Sequence, residues 1–557
     1  MKRCRCLMLA LACGAAFSIV GAAQSKPKPE ARTAYEWGME YLRQGNMSAA
    51  LRAFNQAVTL DQDYVEACAQ LAETAKAMQN GGGDGRFGGA ADGGAAADAR
   101  ILARSILQST HNLYTLQASL FPNQAIYQWA LGQLDASQTQ ENAESYYRKA
   151  VALDAGFTRA ILSLASTLAY RGDLAGAQEL LRKASESKPK DPDVLAAYAH
   201  HVGDSNPDLR RKLTDRLLEL SPAHAAGAEL LSRISVDESD LTARIATLER
   251  LKILYPPNEV DATEWYMRFL FDAYNRTNPV MALALAQEMV KITPAGDAQK
   301  DWHDFMSYAE LMLQARTLLD RQSYAEAAKL LNTAKPPYLV SPDPQTMLQA
   351  KATDLAGNPA GAYQIVARTL ALQPSDALPS ALAQYAAKLK KTPAQVEQDV
   401  WNIRRKNSEP FENFTLPAYR DAKNVRLSDY RGRVVLLIYW IPDSADCRDE
   451  FPELQKMLNK YAPQGFTIIT INPLPGQNAI APVLMSHYGF VSLRVPDAST
   501  LMNLRQSGII ASAASFPTNI LIDRQGRAVF WPAFWGSDPR REFELELQAL
   551  LARGPKD

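Results

Sequence analysis

VVLLIYWIPDSADCRDEFPEL, residues Val434 to Leu454, is the stretch whose reading decides the C-terminal fold. Its first seven residues, Val434 to Trp440, are mostly apolar and read as a buried strand. A short polar turn follows, and a helix is expected to start near Cys447, with Pro452 in its early part. A cysteine at such a strand-to-helix elbow lies where backbone N–H groups and the positive end of the helix dipole favour a thiolate. The elbow therefore has the form of a redox site, and it holds one sulfur.

Residues 439–452 read Tyr-Trp-Ile-Pro-Asp-Ser-Ala-Asp-Cys-Arg-Asp-Glu-Phe-Pro. This run resembles the thioredoxin superfamily, and within it the exported TlpA-like thiol-disulfide oxidoreductases, whose motif is F-W-A-x-W-C-x-x-C-R-x-E-x-P. Trp440, Cys447, Arg448, Glu450 and Pro452 fall in place. Ser444 occupies the position of the family's attacking cysteine, so C-x-x-C becomes S-x-x-C. A serine hydroxyl cannot form a mixed disulfide, so dithiol exchange by this pair is excluded. Cys447 matches the partner that is usually the more buried of the two.

The resemblance extends over residues 411–553 and implies an α/β thioredoxin-like domain. Its lead-in is Phe411 to Gly432, with a Leu-Ser-Asp-Tyr-Arg-Gly turn at 427–432. The expected order is a strand at 434–440, a helix at 447–461, a strand at 466–472, a helix near 479–488, a strand at 517–523, a strand at 528–531 and a closing helix at 539–552. Phe516-Pro517-Thr518 matches the family's cis-proline site, which implies backbone groups left open to an extended peptide. The resemblance thus makes Cys447, Ser444 and Arg448 the candidate catalytic residues and Trp440, Phe516, Pro517 and Thr518 the candidate peptide-binding residues. Ile438 replaces the buried acid that thioredoxins use as a proton relay. Peroxiredoxins are cousins whose cysteine follows a Thr or Ser by three positions, a spacing that Ser444 and Cys447 satisfy. A hydroxyl there could bond a thiolate and a peroxide oxygen, giving sulfenic acid as first product. The later peroxiredoxin Arg falls on Pro517; Arg448 is the available substitute, and Asp443, Asp446, Asp449 and Glu450 would oppose a thiolate.

The chain has 557 residues with 60 basic and 60 acidic side chains, too long for one domain and without net charge to draw it to nucleic acid or anionic lipid. Residues 1–23 combine a basic start (Lys2, Arg3, Arg5), an apolar run from Leu7 to Val20 and Gly21-Ala22-Ala23, the pattern of a secretory signal cleaved near Ala23. The mature protein is expected to be exported, periplasmic or secreted. A rival reading makes Cys13 a lipidated residue and the anchor to a membrane, against a poor lipobox in Ala10-Leu11-Ala12. Of five cysteines only Cys68 and Cys447 follow the signal, so this is no disulfide scaffold.

From residue 31 to 400 the chain reads as helix after helix with a repeat of roughly 34 residues. Gly38, Tyr41, Gly45, Ala50, Phe54 and Ala57 set a phase that returns in Ala165, Gly172, Ala177, Leu181, Ala184 and Pro189, and in Ala350, Gly357, Ala362, Val366 and Pro374. These residues resemble tetratricopeptide (TPR) repeats, with degenerate units between them. The fold class expected is therefore multidomain, an all-α TPR superhelix followed by the α/β domain, with a linker at 401–410. Stacked helix pairs leave a groove that usually takes a peptide or another protein, the alternative being a spacer that only positions the last domain. A Gly-rich stretch at 79–97 is expected to be a loop inserted between two helices of a repeat.

The six His lack the i, i+4 spacing of a helix-borne metal site, and no phosphate-cradling loop, G-x-S-x-G or H-E-x-x-H occurs. No cofactor or metal is expected. Three functions stay open: a thioredoxin-like binding module beside Pro517 joined to a TPR groove; a one-cysteine redox protein acting through Cys447 with an external thiol as reductant; and an oxidoreductase using Cys447 with Cys68. Phe530 to Trp535 is either an aromatic contact surface or the end of a core strand.

Overall fold

The computed structural model describes residues 26–79, 93–136, 142–202, 206–442, 444–474, 481, 485–508, 516–530 and 539–553. The signal at 1–23, most of the Gly-rich insertion, Asp443 and the aromatic run at 531–535 lie outside the described residues. Contacts divide the chain into two compact units, one built mainly on residues 5–202 and the other mainly on residues 226–557.

In the first unit consecutive helices pair through a recurring turn. Helix Pro29–Arg43 ends at Gly45, whose φ of 74° is a backbone state that side chains disfavour, and the Asn46 carboxamide then accepts the Ala49 N–H at 3.1 Å to start helix Met47–Leu60. Gly172 with Asp173 repeats the device, Asp173 accepting the Gly176 N–H at 2.8 Å, and in the second unit Gly357 and Asn358 do so again. Close crossing explains the small residues of the repeat. A Cβ placed on Gly38 would lie 2.4 Å from the Phe54 ring. A Cβ on Gly132 would meet Tyr147 at the same 2.4 Å. Residues 93–97, expected in the insertion loop, instead begin helix Gly93–Leu120; alanines at 95–97 favour helix once the glycines are passed.

The second unit carries helix pairs from Gly227 to Lys406 and then a mixed sheet. Its strands are β1 (Glu409–Pro410), β2 (Thr415–Pro417), β3 (Asn424–Arg426), β4 (Val434–Tyr439), β5 (Phe466–Asn472), β6 (Val491–Arg494), β7 (Thr518–Ile522) and β8 (Arg527–Phe530). Six form one sheet in the order β1-β8-β7-β4-β5-β6, while β2 and β3 pair separately. β4 is central, parallel to β5 and antiparallel to β7. All six of its residues are buried, which is why it reads as a continuous apolar run rather than an alternating one. Val434, Leu436, Ile438 and Trp440 enter one apolar cluster, and Val435, Leu437 and Tyr439 enter the other, across the sheet. The expected helical repeats followed by an α/β domain are thus present. β6 and helix Ala498–Gln506 went unanticipated: Val-Ser-Leu-Arg is a short edge strand with Leu493 alone buried.

The expected linker at 401–410 is corrected. Helix Pro393–Lys406 starts on a Thr392/Gln395 capping box and runs through 401–406, while Glu409 and Pro410 pair with Ala528 and Arg527 in the sheet. The guanidinium of Arg527 donates to Ser408 Oγ at 2.8 Å and to the Ser408 carbonyl. Trp401 is buried in the same cluster as Phe530 and Leu550, and Arg404 lies over the Phe530 ring, 5.6 Å from its centroid. Arg541 adds a two-pronged bond to Asp376, 2.7 Å on each oxygen. The last repeats and the sheet therefore share a core, with no free hinge between them.

Glu546, in helix Pro539–Leu551, faces this junction. The residue is partly exposed, yet its Oε2 is buried without a hydrogen-bond partner. Burial first, then Glu542, push its carboxyl up to about 8, with Arg404 opposing. An unfolded Glu titrates near about 4.3, so between these values the folded chain holds a proton that the unfolded chain has released, and stability falls as pH rises. Glu546→Gln should raise the unfolding temperature near pH 8, with the gain vanishing as pH falls toward the unfolded-state value. Thermal unfolding across that range checks it.

Candidate functional site: the elbow after β4

β4 ends at Tyr439, and helix Ala445–Tyr461 begins after Ser444, which is its N-cap. The Ser444 hydroxyl accepts the Cys447 N–H at 3.3 Å and donates to the Phe516 carbonyl at 3.3 Å. One side chain thus closes the first turn of the helix and ties it to the loop bearing the cis Phe516-Pro517 bond. Its proton is directed to a carbonyl rather than to sulfur.

Cys447 has 0% of its surface exposed. It lies in the apolar cluster with Ile438, Trp440 and Phe451, and the Trp440 and Phe451 rings meet edge to face with centroids 5.2 Å apart. Arg448 donates to the Pro442 carbonyl across the elbow. Its guanidinium braces the turn, so the structure gives it a positioning role. Glu450 is half-buried and accepts from the Asn519 side chain at 3.3 Å. Asn519 sits opposite Ile438 on β7 and is itself buried. Sequence reasoning missed Asn519; the signal was a lone amide directly before the apolar run Ile520-Leu521-Ile522.

The structure brings Ser444, Cys447, Phe516, Pro517 and Thr518 to one end of the sheet, Thr518 pairing with Tyr439. Phe516, Pro517 and Thr518 keep part of their surface open. Trp440 does not join them as a contact residue: it is fully buried and supports the elbow from within, a correction to its expected place on the peptide-binding face. The side chains of Asp443, Asp446 and Asp449 lie outside the described residues.

Chemically, exchange with a disulfide or peroxide needs an approach to sulfur along the reacting bond, and Cys447 has none of its surface exposed to one. Cys68 is also buried, and burial pushes its thiol up to about 12 against a hydrogen bond from Tyr114 that lowers it. A thiol so held stays protonated and is a poor nucleophile; neither cysteine is in a disulfide. Among the described residues no cluster of three His, Cys, Asp or Glu is placed to hold a metal, and no helix is long and apolar enough to cross a membrane.

Comparison with known proteins follows this division. Residues 408–494 match the AhpC/TSA family, and residues 31–64 and 136–200 match tetratricopeptide repeats. The chain therefore carries TPR repeats and a C-terminal redoxin domain of thioredoxin-like fold. Among solved structures it is similar to a Chlorobium tepidum protein provisionally described as the thiol:disulfide interchange protein DsbE, at 26% identity over 26% of this chain and 96% of that one, TM-score 0.22. The thioredoxin domain of a thiol-disulfide oxidoreductase from Bacteroides vulgatus matches at 21% identity over 25% and 96%, TM-score 0.22. A thiol:disulfide interchange protein from Bacteroides sp. matches at 22% over 25% and 90%, with the same TM-score of 0.22.

Two substitutions test the elbow. Ser444→Ala removes the N-cap and should cost about 1 kcal/mol, read by chemical denaturation. Ser444→Cys should bond to Cys447 and confer insulin-disulfide reduction, while the native protein is expected to show none. A native protein already active in that assay would refute the account of the elbow.

Proposed function

We propose that this is an exported polypeptide-binding protein. In this reading the repeats hold a partner and the redoxin domain serves as a second binding module rather than as an exchange catalyst. The observation that carries it is the pair at the elbow: a hydroxyl where an attacking thiol is needed, bonded to the helix and to the Phe516 carbonyl, and a Cys447 thiol with 0% exposure. The part-exposed strand end at Phe516, Pro517 and Thr518 supports peptide binding there, since backbone groups beside a strand end can pair with an extended segment. The TPR repeats support a protein partner more generally. Export rests on the signal pattern of residues 1–23; cleavage near Ala23 delivers the mature chain to the periplasm or the medium, and lipidation at Cys13 is the competing outcome.

A second reading, one-cysteine redox chemistry, draws support from the placement of Cys447 in the first turn of a helix and from the AhpC/TSA match. In that case a peroxide would oxidise the thiolate to sulfenic acid, releasing water after proton uptake, and two equivalents of an external thiol would reduce it again.

Intact mass of the mature protein after brief peroxide exposure with a sulfenic-acid trap separates the two, with Cys447→Ser as control. The proposal predicts no adduct at Cys447 until the protein is denatured. An adduct on the native protein that the substitution abolishes would transfer the assignment to redox chemistry. The same spectrum locates the N-terminus and reports any lipid.

A further inference from the structure

Helix Pro539–Leu551, which closes the redoxin domain, begins Pro539-Arg540-Arg541. The positive end of a helix dipole favours anions, so two consecutive arginines in the first turn work against the helix that carries them. Their partners lie on the repeats. Arg540 donates to Asp237 at 2.6 Å, 303 residues earlier in the chain, and Arg541 donates to both oxygens of Asp376, 165 residues earlier, at 2.7 Å each. The Asp237 side chain is only 5% exposed, and the buried Arg210 donates to its other oxygen at 2.6 Å, which fixes the carboxylate for the contact. All five residues belong to the second compact unit.

Asp237 ends helix Gly227–Asp237 and Asp376 precedes helix Leu378–Lys388, with the helices from Leu241–Leu254 to Pro359–Leu372 between them in the chain. Consecutive Cα atoms are about 3.8 Å apart, so one dipeptide ties together two points of the array that several stacked helices separate. The curvature of a solenoid is the sum of small rotations from each repeat to the next. Pinning two distant repeats to adjacent residues fixes that sum. The two arginine side chains are each 42% exposed and Asp376 is 62% exposed, so dissolved salt reaches both pairs and weakens them. Trp401 and Phe530, by contrast, join the last repeat helix to the sheet through an apolar cluster that does not depend on charge. We propose that Arg540 and Arg541 form an electrostatic clasp that holds the repeat array closed, and that its concave face widens when the clasp is screened or its charge reversed. Release frees the repeats around Asp237 while the redoxin domain stays on the last helices. The inference rests on the reading that the repeats hold a polypeptide, and it gives the redoxin domain control over the face that receives it.

The test uses the full mature chain with no ligand added. Between about 0.1 M and about 1 M sodium chloride the screening length falls from about 10 Å to about 3 Å. Over that range the radius of gyration from small-angle scattering should increase, and amide exchange in helix Gly227–Asp237 should quicken about fivefold. Arg540→Glu and Arg541→Glu should each give the expanded form already at low salt. Glu suits a helix N-terminus, so an expanded variant has not lost its closing helix. Asp376→Arg added to Arg541→Glu should restore the compact form. No change in either measure, with salt or with the variants, overturns the clasp, as does an expansion of Arg541→Glu that Asp376→Arg fails to reverse. Neither result bears on polypeptide binding by the repeats, which stands or falls by its own test.

Discussion

Strand β4 has protein on both faces, and the C-terminal domain follows from that constraint. With all six residues buried, it cannot move without exposing two apolar clusters at once, so its end is a fixed point in the molecule. Trp440 continues the same alternation into the cluster behind the elbow. The helix that starts after Ser444 packs Cys447 and Phe451 onto that cluster. The burial that makes the elbow rigid also seals its sulfur.

The elbow keeps the architecture of a redox site while its parts serve structure. Ser444 caps a helix and clasps the Phe516 carbonyl, Arg448 braces the Pro442 carbonyl, and Ile438 is core. Phe516 to Thr518, at the start of β7, keep part of their surface exposed. Trp401, Arg404 and Arg527 pack the last repeat helix against the sheet.

Much of this was legible in the residues themselves. β4, β5 and β7 announce themselves as apolar runs, and the Gly-Asn and Gly-Asp turns with Gly38 and Ala50 reveal the repeat because backbone sterics leave few alternatives at those positions. Ser444 in place of cysteine followed from the resemblance of residues 439–452 to the TlpA-like motif. Other features depend on partners far along the chain. Ser-Glu-Pro at 408–410 has the punctuation of a linker, yet Arg527, 119 residues away, clamps it. Trp440 looks like a contact residue until the packing of Phe451 is known. Arg540 and Arg541 read as an ordinary charged start to a helix, because their partners Asp237 and Asp376 are met only in the folded chain.

A fully buried Cys447 should be chemically silent in the folded protein. Its most direct test is the rate at which an aromatic disulfide reagent labels Cys447 in the native mature protein, compared with the rate of unfolding, in a Cys68→Ala background. The account predicts labelling no faster than the opening of the domain, with full reaction on denaturation. Prompt labelling of the folded protein would contradict it.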